Sequence, residues 1–566
     1  MTDPAYSRRM VIGRWVPGVE AARSYRRSWL RSDLVAGLVL AAILVPQGMA
    51  YAELAGLPAV TGLYTTIACL VGYAIFGPSR VLVLGPDSSV SPLIFAAITP
   101  LVVTSDPGSA IALAGMLAML VGLIEIGLGL GKLGFVADLL SSEVQVGYMN
   151  GLAITIIVGQ LPKLCGFSAD ADGFVDELRS WVDHLDATQG AALAVGLGVL
   201  VVLLVLPRVM PRIPAVLVAV AGATIVSAAF DLASHGVATV GTLPRGVPTP
   251  TLPWTSFDDV GPLLLAAIGI VLVSLTDTIA TASSFAARRG DELQPNQEMI
   301  GIGAANVAAG FFQGFAVSTS GSRTAVAEQS GAKSQLTGVV GAGLVVVLLL
   351  FLNSLLSDLP QSALAGVVIA AALSLMNIGA LRKYAEVRVS SLLLSLVATL
   401  GVVALGVLQG IVVAIFLAVL LFFRRNWWPH GAVLGRTDDS EGWHGIDDLP
   451  GAREIAGIVV YRWEAPLFFA NAGTFRQQIR RLVRERDPRW IVLQCEAITD
   501  IDVTAAQVIE QLDAELNAAG IHFAFVEMRT RLRDLVGRHG LYDTLDRDHF
   551  YPTIDAALAA IAQEDE

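Results

Sequence analysis

The sequence predicts a polytopic α-helical membrane protein with a small α/β domain at its C-terminal end. Three observations predict it. Of 566 residues, 54% are hydrophobic and only 15% are charged, a balance that suits helices facing lipid. Apolar stretches such as 34–49, 111–130 and 339–352 recur along the chain, and each is suited to all or part of a bilayer crossing. Beyond Phe423 the pattern switches to short strands alternating with amphipathic helices, the signature of an α/β unit.

Residues 1–32 hold Arg8, Arg9, Arg14, Arg23, Arg26, Arg27 and Arg31. They lack the short apolar core and small-residue cleavage site of a signal peptide, so they read as a cytoplasmic segment before an uncleaved first helix. About fourteen spans follow within 33–424, opening near 33, 59, 86, 108, 143, 188, 212, 259, 296, 320, 334, 361, 383 and 405. Charge placement supports this count. Ten of the fourteen Lys and Arg between 33 and 423 fall on loops that would be cytoplasmic if the N-terminus is inside: Arg80, Lys132, Arg208, Arg212, Arg288, Arg289, Lys333, Arg382, Lys383 and Arg388. An even span count then places the C-terminal tail inside too. Arg424-Arg425-Asn-Trp-Trp-Pro429 closes the membrane region with interfacial basic and aromatic residues and a helix-ending proline. Residues 425–450 read as a polar linker. Within 451–566, strands are expected at 455–461, 490–495 and 521–526, and helices at 473–486 and 504–518.

One charge stands out within the apolar region. Phe315-Ala-Val-Ser-Thr-Ser-Gly-Ser-Arg323 interrupts the helices with small polar residues and ends in an arginine. Burying that charge in lipid costs at least ~2.5 kcal/mol, so it implies an anion, a partner or water in a protein-lined cavity. A helix starting at Ser320 to Ser322 would aim free N–H groups and its positive dipole end at the guanidinium, which makes an anion site at membrane depth.

Other classes are excluded. The net charge of −12 is split between the outer loop around Asp170 to Glu177 and the tail, so no nucleic-acid partner is implied. Cys69, Cys165 and Cys495 have no paired spacing, which excludes a disulfide framework or zinc knuckle. Gly127-Leu-Gly-Leu-Gly131-Lys132-Leu133 lacks the spacing and the hydroxyl of a P-loop, so ATP hydrolysis is rejected. The seven histidines lie outside the expected spans, against a histidine proton relay. No catalytic residue and no cofactor is expected.

The motifs resemble a known family. Val45-Pro-Gln-Gly-Met-Ala-Tyr-Ala-Glu-Leu-Ala-Gly-Leu-Pro58, Gly62-Leu-Tyr64, Phe76-Gly-Pro-Ser-Arg80, Gly85-Pro86 and Ser322-Arg-Thr-Ala-Val occur in the order of the sulfate permease (SulP) family of anion transporters. The tail resembles a STAS domain, with Asp500-Ile-Asp502-Val-Thr504-Ala as its signature loop. The resemblance implies a 7+7 inverted repeat, with spans 1–4 and 8–11 forming a core domain that moves against a gate domain of spans 5–7 and 12–14. Two short segments, opening at Gly85-Pro86-Asp87-Ser88 and Ser320-Gly321-Ser322-Arg323, are the third span of each half, where broken helices meet at a midplane site.

The expected substrate site therefore comprises Gln47, Tyr51, Gly85, Pro86, Asp87, Ser88, Ser320, Gly321, Ser322 and Arg323. Gln47 and Tyr51 lie four apart on one helical face. Asp87 would repel an anion, so helix capping is its favoured role. Arg323 has two structural alternatives, pairing with Glu328 or with Asp87. Asp277 and Thr281, in an apolar eighth span, match the family positions that hold a coupling cation, Na⁺ in a bicarbonate-carrying member; a proton serves equally to neutralise Asp277. Thr504 aligns with the phosphorylated position of STAS antagonists, though a helix cap is its simpler role. The expected function is secondary active transport of a small anion, sulfate first, by elevator-like alternating access in the cell membrane. Coupling to H⁺ or Na⁺, membrane lipid as surroundings and a homodimer complete the expectation. Bicarbonate or dicarboxylate transport, uncoupled exchange, and a membrane-anchored STAS signalling protein are the alternatives.

Overall fold

The computed structural model describes residues 16–564 except 103–106, 135–140, 169–173, 211–212, 438–439, 450 and 546. The chain divides into two compact units, Met1–Ala418 and Val419–Glu566.

Among the described residues, fourteen helices stand where spans were expected, the last of them running past the end of the first unit. They are α1 Leu30–Leu54, α2 Ala59–Phe76, α3 Ser91–Ile98, α4 Pro107–Leu130, α5 Ser142–Cys165, α6 Gly190–Val209, α7 Ala215–Ala229, α8 Phe257–Arg289, α9 Pro295–Phe311, α10 Gly321–Gln329, α11 Leu336–Phe351, α12 Gln361–Leu375, α13 Val389–Leu405 and α14 Val407–Trp427. Among the described residues, seven helical segments are long and apolar enough to cross a membrane by length and composition. In contrast, α3 has 8 residues and α10 has 9, so at ~1.5 Å per residue each spans about half of a ~30 Å hydrocarbon core.

Small residues let the helices close up. On α4, Gly115, Gly122 and Gly129 recur every seven residues against α9, and a Cβ on Gly122 would lie 2.5 Å from the Gly303 carbonyl oxygen. Such backbone contact is the usual glue between helices in lipid, where no hydrophobic force separates helix from solvent. Polar residues inside the unit are tied to backbone. Asp33 of α1 accepts from the N–H groups of Lys333 and Ser334 at 2.7 and 3.2 Å and from the Ser334 and Thr337 hydroxyls, supplying partners to backbone donors in the loop just before α11.

The two half-length helices are joined through their approaches. Strand β1, Leu84–Gly85, pairs antiparallel with β2, Ser318–Thr319, in the register Leu84 to Thr319 and Gly85 to Ser318. A strand leading into a half-helix therefore occurs once in each half of the unit, and the two copies meet head to head.

The second unit is a six-stranded sheet built from β3 Gly431–Thr437, β4 Ser440–Gly445, β5 Ile458–Trp463, β6 Trp490–Gln494, β7 His522–Val526 and β8 Phe550–Tyr551, in the order β4-β3-β5-β6-β7-β8. Strands β5 to β8 run parallel, and β3 is antiparallel to β4 and β5. The pleat sends Val459, Tyr461, Ile491, Leu493, Phe523 and Phe525 to one face, under α15 Ala472–Arg486, α16 Val503–Ala518 and α17 Thr530–Arg538. Val460, Val492, Ala524 and Val526 point to the other face, under α18 Ile554–Glu564. Helices on both faces of a parallel sheet are what continuous apolar strands require.

The linker expected at 425–450 is corrected here. Gly431–Thr437 and Ser440–Gly445 pair antiparallel as β3 and β4 and extend the sheet. Only two apolar residues of β3, Ala432 and Leu434, are buried, too short an alternation to announce a strand amid Gly, Asp and Ser.

Candidate anion-binding site

The site forms where β1 and β2 deliver α3 and α10 to one another. The Ser320 N–H donates to the Val83 carbonyl at 3.1 Å, and the Val83 N–H donates to Thr324 Oγ1 at 3.0 Å. Ser320 caps α10, its hydroxyl accepting from the Arg323 N–H at 3.4 Å and lying 3.1 Å from the Ser322 hydroxyl. Deeper in, Glu125 of α4 accepts from Asn306 of α9 at 2.8 Å and from Ser274 of α8 at 3.0 Å, while Asn306 Oδ1 accepts from the Val317 N–H at 2.7 Å. That buried polar knot fixes the entry to β2, and it gives Glu125 a structural role.

Arg323 lies at the centre with 1% of its side chain exposed. Its Nη2 donates to the Gly85 carbonyl oxygen and to Asp87 Oδ2, both at 3.4 Å. Nε and Nη1 are buried with no partner among the described residues. A buried guanidinium normally has its donors matched, because each unmatched polar group costs about 1–3 kcal/mol. Gly85 gives it room: a Cβ there would lie 2.8 Å from Nη1. Of the two structural partners considered from the sequence, Asp87 is the one present; Glu328 binds Arg289 of α8 at 2.9 Å instead.

Asp87 does not cap α3, contrary to expectation. The helix begins at Ser91, its N-cap is Val90, and no side chain caps it. The Asp87 carboxylate bends back instead, with Oδ1 accepting from the Ser89 N–H at 3.0 Å and from the Ser89 hydroxyl at 2.9 Å. Residues 88–90 form a turn between strand and helix, so the opening expected at Gly85 and Pro86 falls several residues early.

Tyr51 of α1 is buried and its hydroxyl faces Ser88, which is also buried. Gln47, one turn earlier on α1, is partly buried. From α8, Asp277 Oδ2 lies 3.0 Å from the Ser89 hydroxyl, and Asp277 Oδ1 accepts from Gln145 of α5 at 3.4 Å. Thr281 lies one turn further along α8 and faces the start of α10 at Gly321. Ser89 and Gln145 did not stand out in the sequence. Ser89 sits inside the Gly85-Pro-Asp-Ser-Ser run, and Gln145 is a polar residue near the start of an apolar span, which is the only trace either leaves. In the second unit, α16 is capped by Asp502, whose Oδ1 accepts from the Ala505 N–H at 2.8 Å. Thr504 is exposed in the first turn, so the capping role considered for it belongs to Asp502.

Residues 30–398 match the Sulfate permease family and residues 450–557 match the STAS domain. The chain is 41% identical to a probable sulfate transporter of Mycobacterium tuberculosis (strain CDC 1551 / Oshkosh), over 97% of this chain and 99% of that protein. It is 30% identical to the chloroplastic sulfate transporter 4.1 of Arabidopsis thaliana, over 98% of this chain and 84% of that one. Its fold is similar to that of murine Solute Carrier 26 family member A9, an anion transporter solved in the inward-facing state, with TM-score 0.88 and 23% identity over 98% of this chain and 95% of that chain. It is similar also to the transmembrane domain of the cyanobacterial bicarbonate transporter BicA, with TM-score 0.61 and 23% identity over 70% of this chain and 98% of that chain. With the family's motifs arranged around one buried arginine and both parts of the chain matched, the protein belongs to the sulfate permease family of membrane anion transporters and carries a C-terminal STAS domain.

Proposed function

We propose that the protein is a secondary active transporter of sulfate, coupled to a cation through Asp277. The observation that carries this reading is Arg323, buried where two half-helices meet and holding two guanidinium nitrogens that no described residue matches. Free donors on a fixed positive charge, beside the N-terminus of α10, suit an oxyanion that accepts several charge-assisted hydrogen bonds. The relatives' names supply the choice of sulfate.

Coupling answers an electrical problem. A divalent anion moving into a negative-inside cell loses about 2.3 kcal/mol per charge at 100 mV. A proton or Na⁺ taken up at Asp277, with Thr281 one turn away, offsets part of that loss and neutralises the carboxylate. Core helices α1–α4 and α8–α11 would carry the site against gate helices α5–α7 and α12–α14 in an elevator-like movement, and the contact between Gln145 of α5 and Asp277 of α8 would break and re-form as they slide. The cell membrane as location, both termini in the cytoplasm and a homodimer belong to the same reading.

Radiolabelled sulfate uptake into proteoliposomes tests it, first with an imposed pH gradient, then with a Na⁺ gradient, and with bicarbonate, succinate and fumarate as competitors. Concentrative uptake driven by one gradient and lost in Asp277→Asn supports the proposal. Uptake indifferent to both gradients and unchanged in that variant would make the protein an uncoupled carrier or exchanger. A competitor that displaces sulfate and is itself concentrated would replace sulfate as the substrate.

A further inference from the structure

We infer that Asp87 is a tethered counter-anion: its carboxylate holds Arg323 when no substrate is bound, the substrate anion displaces it, and this exchange lets the unloaded carrier return across the membrane. The inference rests on the transport reading above and adds to it a residue role and a transport mode.

Two features of the pair point this way. The contact between Arg323 Nη2 and Asp87 Oδ2 is 3.4 Å, well beyond the 2.7–2.9 Å typical of a tight charge-assisted bond. A structural ion pair at this depth would be expected to be short and bidentate, since only good geometry compensates two buried charges. Asp87 also occupies just one guanidinium nitrogen, leaving Nε and Nη1 free. Nη2 belongs to both bidentate edges of the guanidinium, so an incoming oxyanion can bind Nε or Nη1 first and complete a bidentate contact by taking Nη2 from Asp87, without an intermediate in which the charge stands alone.

The displaced carboxylate has somewhere to go. Asp87 Oδ1 is already held by the Ser89 N–H and hydroxyl, and that hydroxyl also lies 3.0 Å from Asp277 Oδ2. A hydroxyl has one proton and donates to one carboxylate at a time. With Asp277 neutralised by its coupling cation, Ser89 is free to serve Asp87, so the released carboxylate keeps both bonds. Loss of Arg323 by Asp87 is thereby tied to occupancy of Asp277, through one serine.

The consequence for transport follows from charge. An unloaded site with Arg323 unpaired takes a guanidinium with no carboxylate against it through the low-dielectric barrier, which is costly; with Asp87 on Arg323 that charge stays paired, while Asp277, its cation released, regains the Ser89 hydroxyl. The native protein therefore returns empty and performs net uptake. Without the carboxylate, return requires an anion in the site, and the protein becomes an exchanger.

The experiment compares two modes in proteoliposomes, using radiolabelled sulfate at saturating concentration. Net uptake is measured into vesicles free of internal sulfate, and exchange is measured into vesicles preloaded with unlabelled sulfate. For Asp87→Asn the ratio of exchange to net uptake should rise at least tenfold over the native protein, and half-saturation for sulfate should fall several-fold because the internal competitor is gone. Monodisperse elution in detergent checks folding, and Asp87→Ser repeats the test if the amide variant does not elute so. An unchanged ratio, or weaker sulfate binding in both variants, overturns the inference, as does failure of both to fold, since Asp87 would then be a structural anchor of β1. Absence of sulfate transport by the native protein removes the functional reading, and this inference with it.

Discussion

A guanidinium inside a membrane protein must be matched by charge or by hydrogen bonds, and Arg323 is matched only in part. Replacing it by Ala removes at least one charge-assisted hydrogen bond, worth about 1.5–3 kcal/mol, so sulfate affinity should fall tenfold or more in a binding assay on the purified variant. Lys should restore only part of that, because a single ammonium lacks the planar fork. Gly85→Ala tests the same geometry from the other side. Its Cβ would lie 2.8 Å from Nη1, so the guanidinium must shift and affinity should fall with Arg323 intact; native affinity in that variant would mean that Nη1 is not where the anion binds. The cysteines allow a prediction of the opposite kind. All three are buried, and burial pushes the Cys495 thiol up to about 12. Since thiolate is the reactive form, iodoacetamide at about pH 8 should leave Cys495 unmodified in folded protein and modify it after denaturation, with mass spectrometry of the peptide as the readout.

Among the elements, the pairing of α4 with α9 depends on what is missing from the side chains. Gly122 and Gly303 each face the other's carbonyl oxygen, with hypothetical Cβ atoms at 2.5 and 2.7 Å, whereas Gly127 of α4 has nothing within 4 Å. Gly122→Val should therefore destabilise the protein by ~1–3 kcal/mol or more through overpacking, lowering the unfolding midpoint in detergent, while Gly127→Val should not. Equal midpoints for the two would show that the α4 and α9 backbones do not meet at Gly122. The packing face of Gly115, Gly122 and Gly129 emerges only in the structure, because glycine spacing by itself does not name a partner helix. The pair of β3 and β4 reads as linker in the sequence because its few buried residues sit among turn formers. Asp87 reads as a cap in the sequence because an acidic residue before a helix suits that role; the turn at 88–90 puts the helix start beyond its reach and leaves the carboxylate for Ser89 and Arg323.

At the scale of the whole molecule, the membrane unit contains every residue of the candidate site, from Gln47 to Arg323. Removing residues 430–566, which takes away the complete sheet including β3 and β4, should lower expression or transport rate yet leave sulfate affinity within about twofold. Binding lost in a monodisperse truncated protein would show that the STAS unit shapes the site. A cut at 451 is a poorer test, because it leaves the β3/β4 pair without its partner strand β5.

The sequence by itself determined the number and order of the spans, the shortness of the third in each half, the α/β nature of the tail, and the interruption of the apolar helices just before Arg323. Lipid allows few alternatives: a chain there must satisfy its own backbone, so apolar length and interrupting small residues speak directly to structure. Tertiary structure alone decided which charges meet. Arg323 and Asp87 are 236 residues apart, Ser89 and Asp277 188, and Gln145 and Asp277 132. No local pattern records such distances. The meeting of Arg323 with Asp87 follows from the antiparallel pairing of β1 and β2, two residues each, which carry no hydrophobic period and adjoin the Glu125, Asn306 and Ser274 knot drawn from three other helices; the contacts of Asp277 follow from the packing of α8 beside α3 and α5.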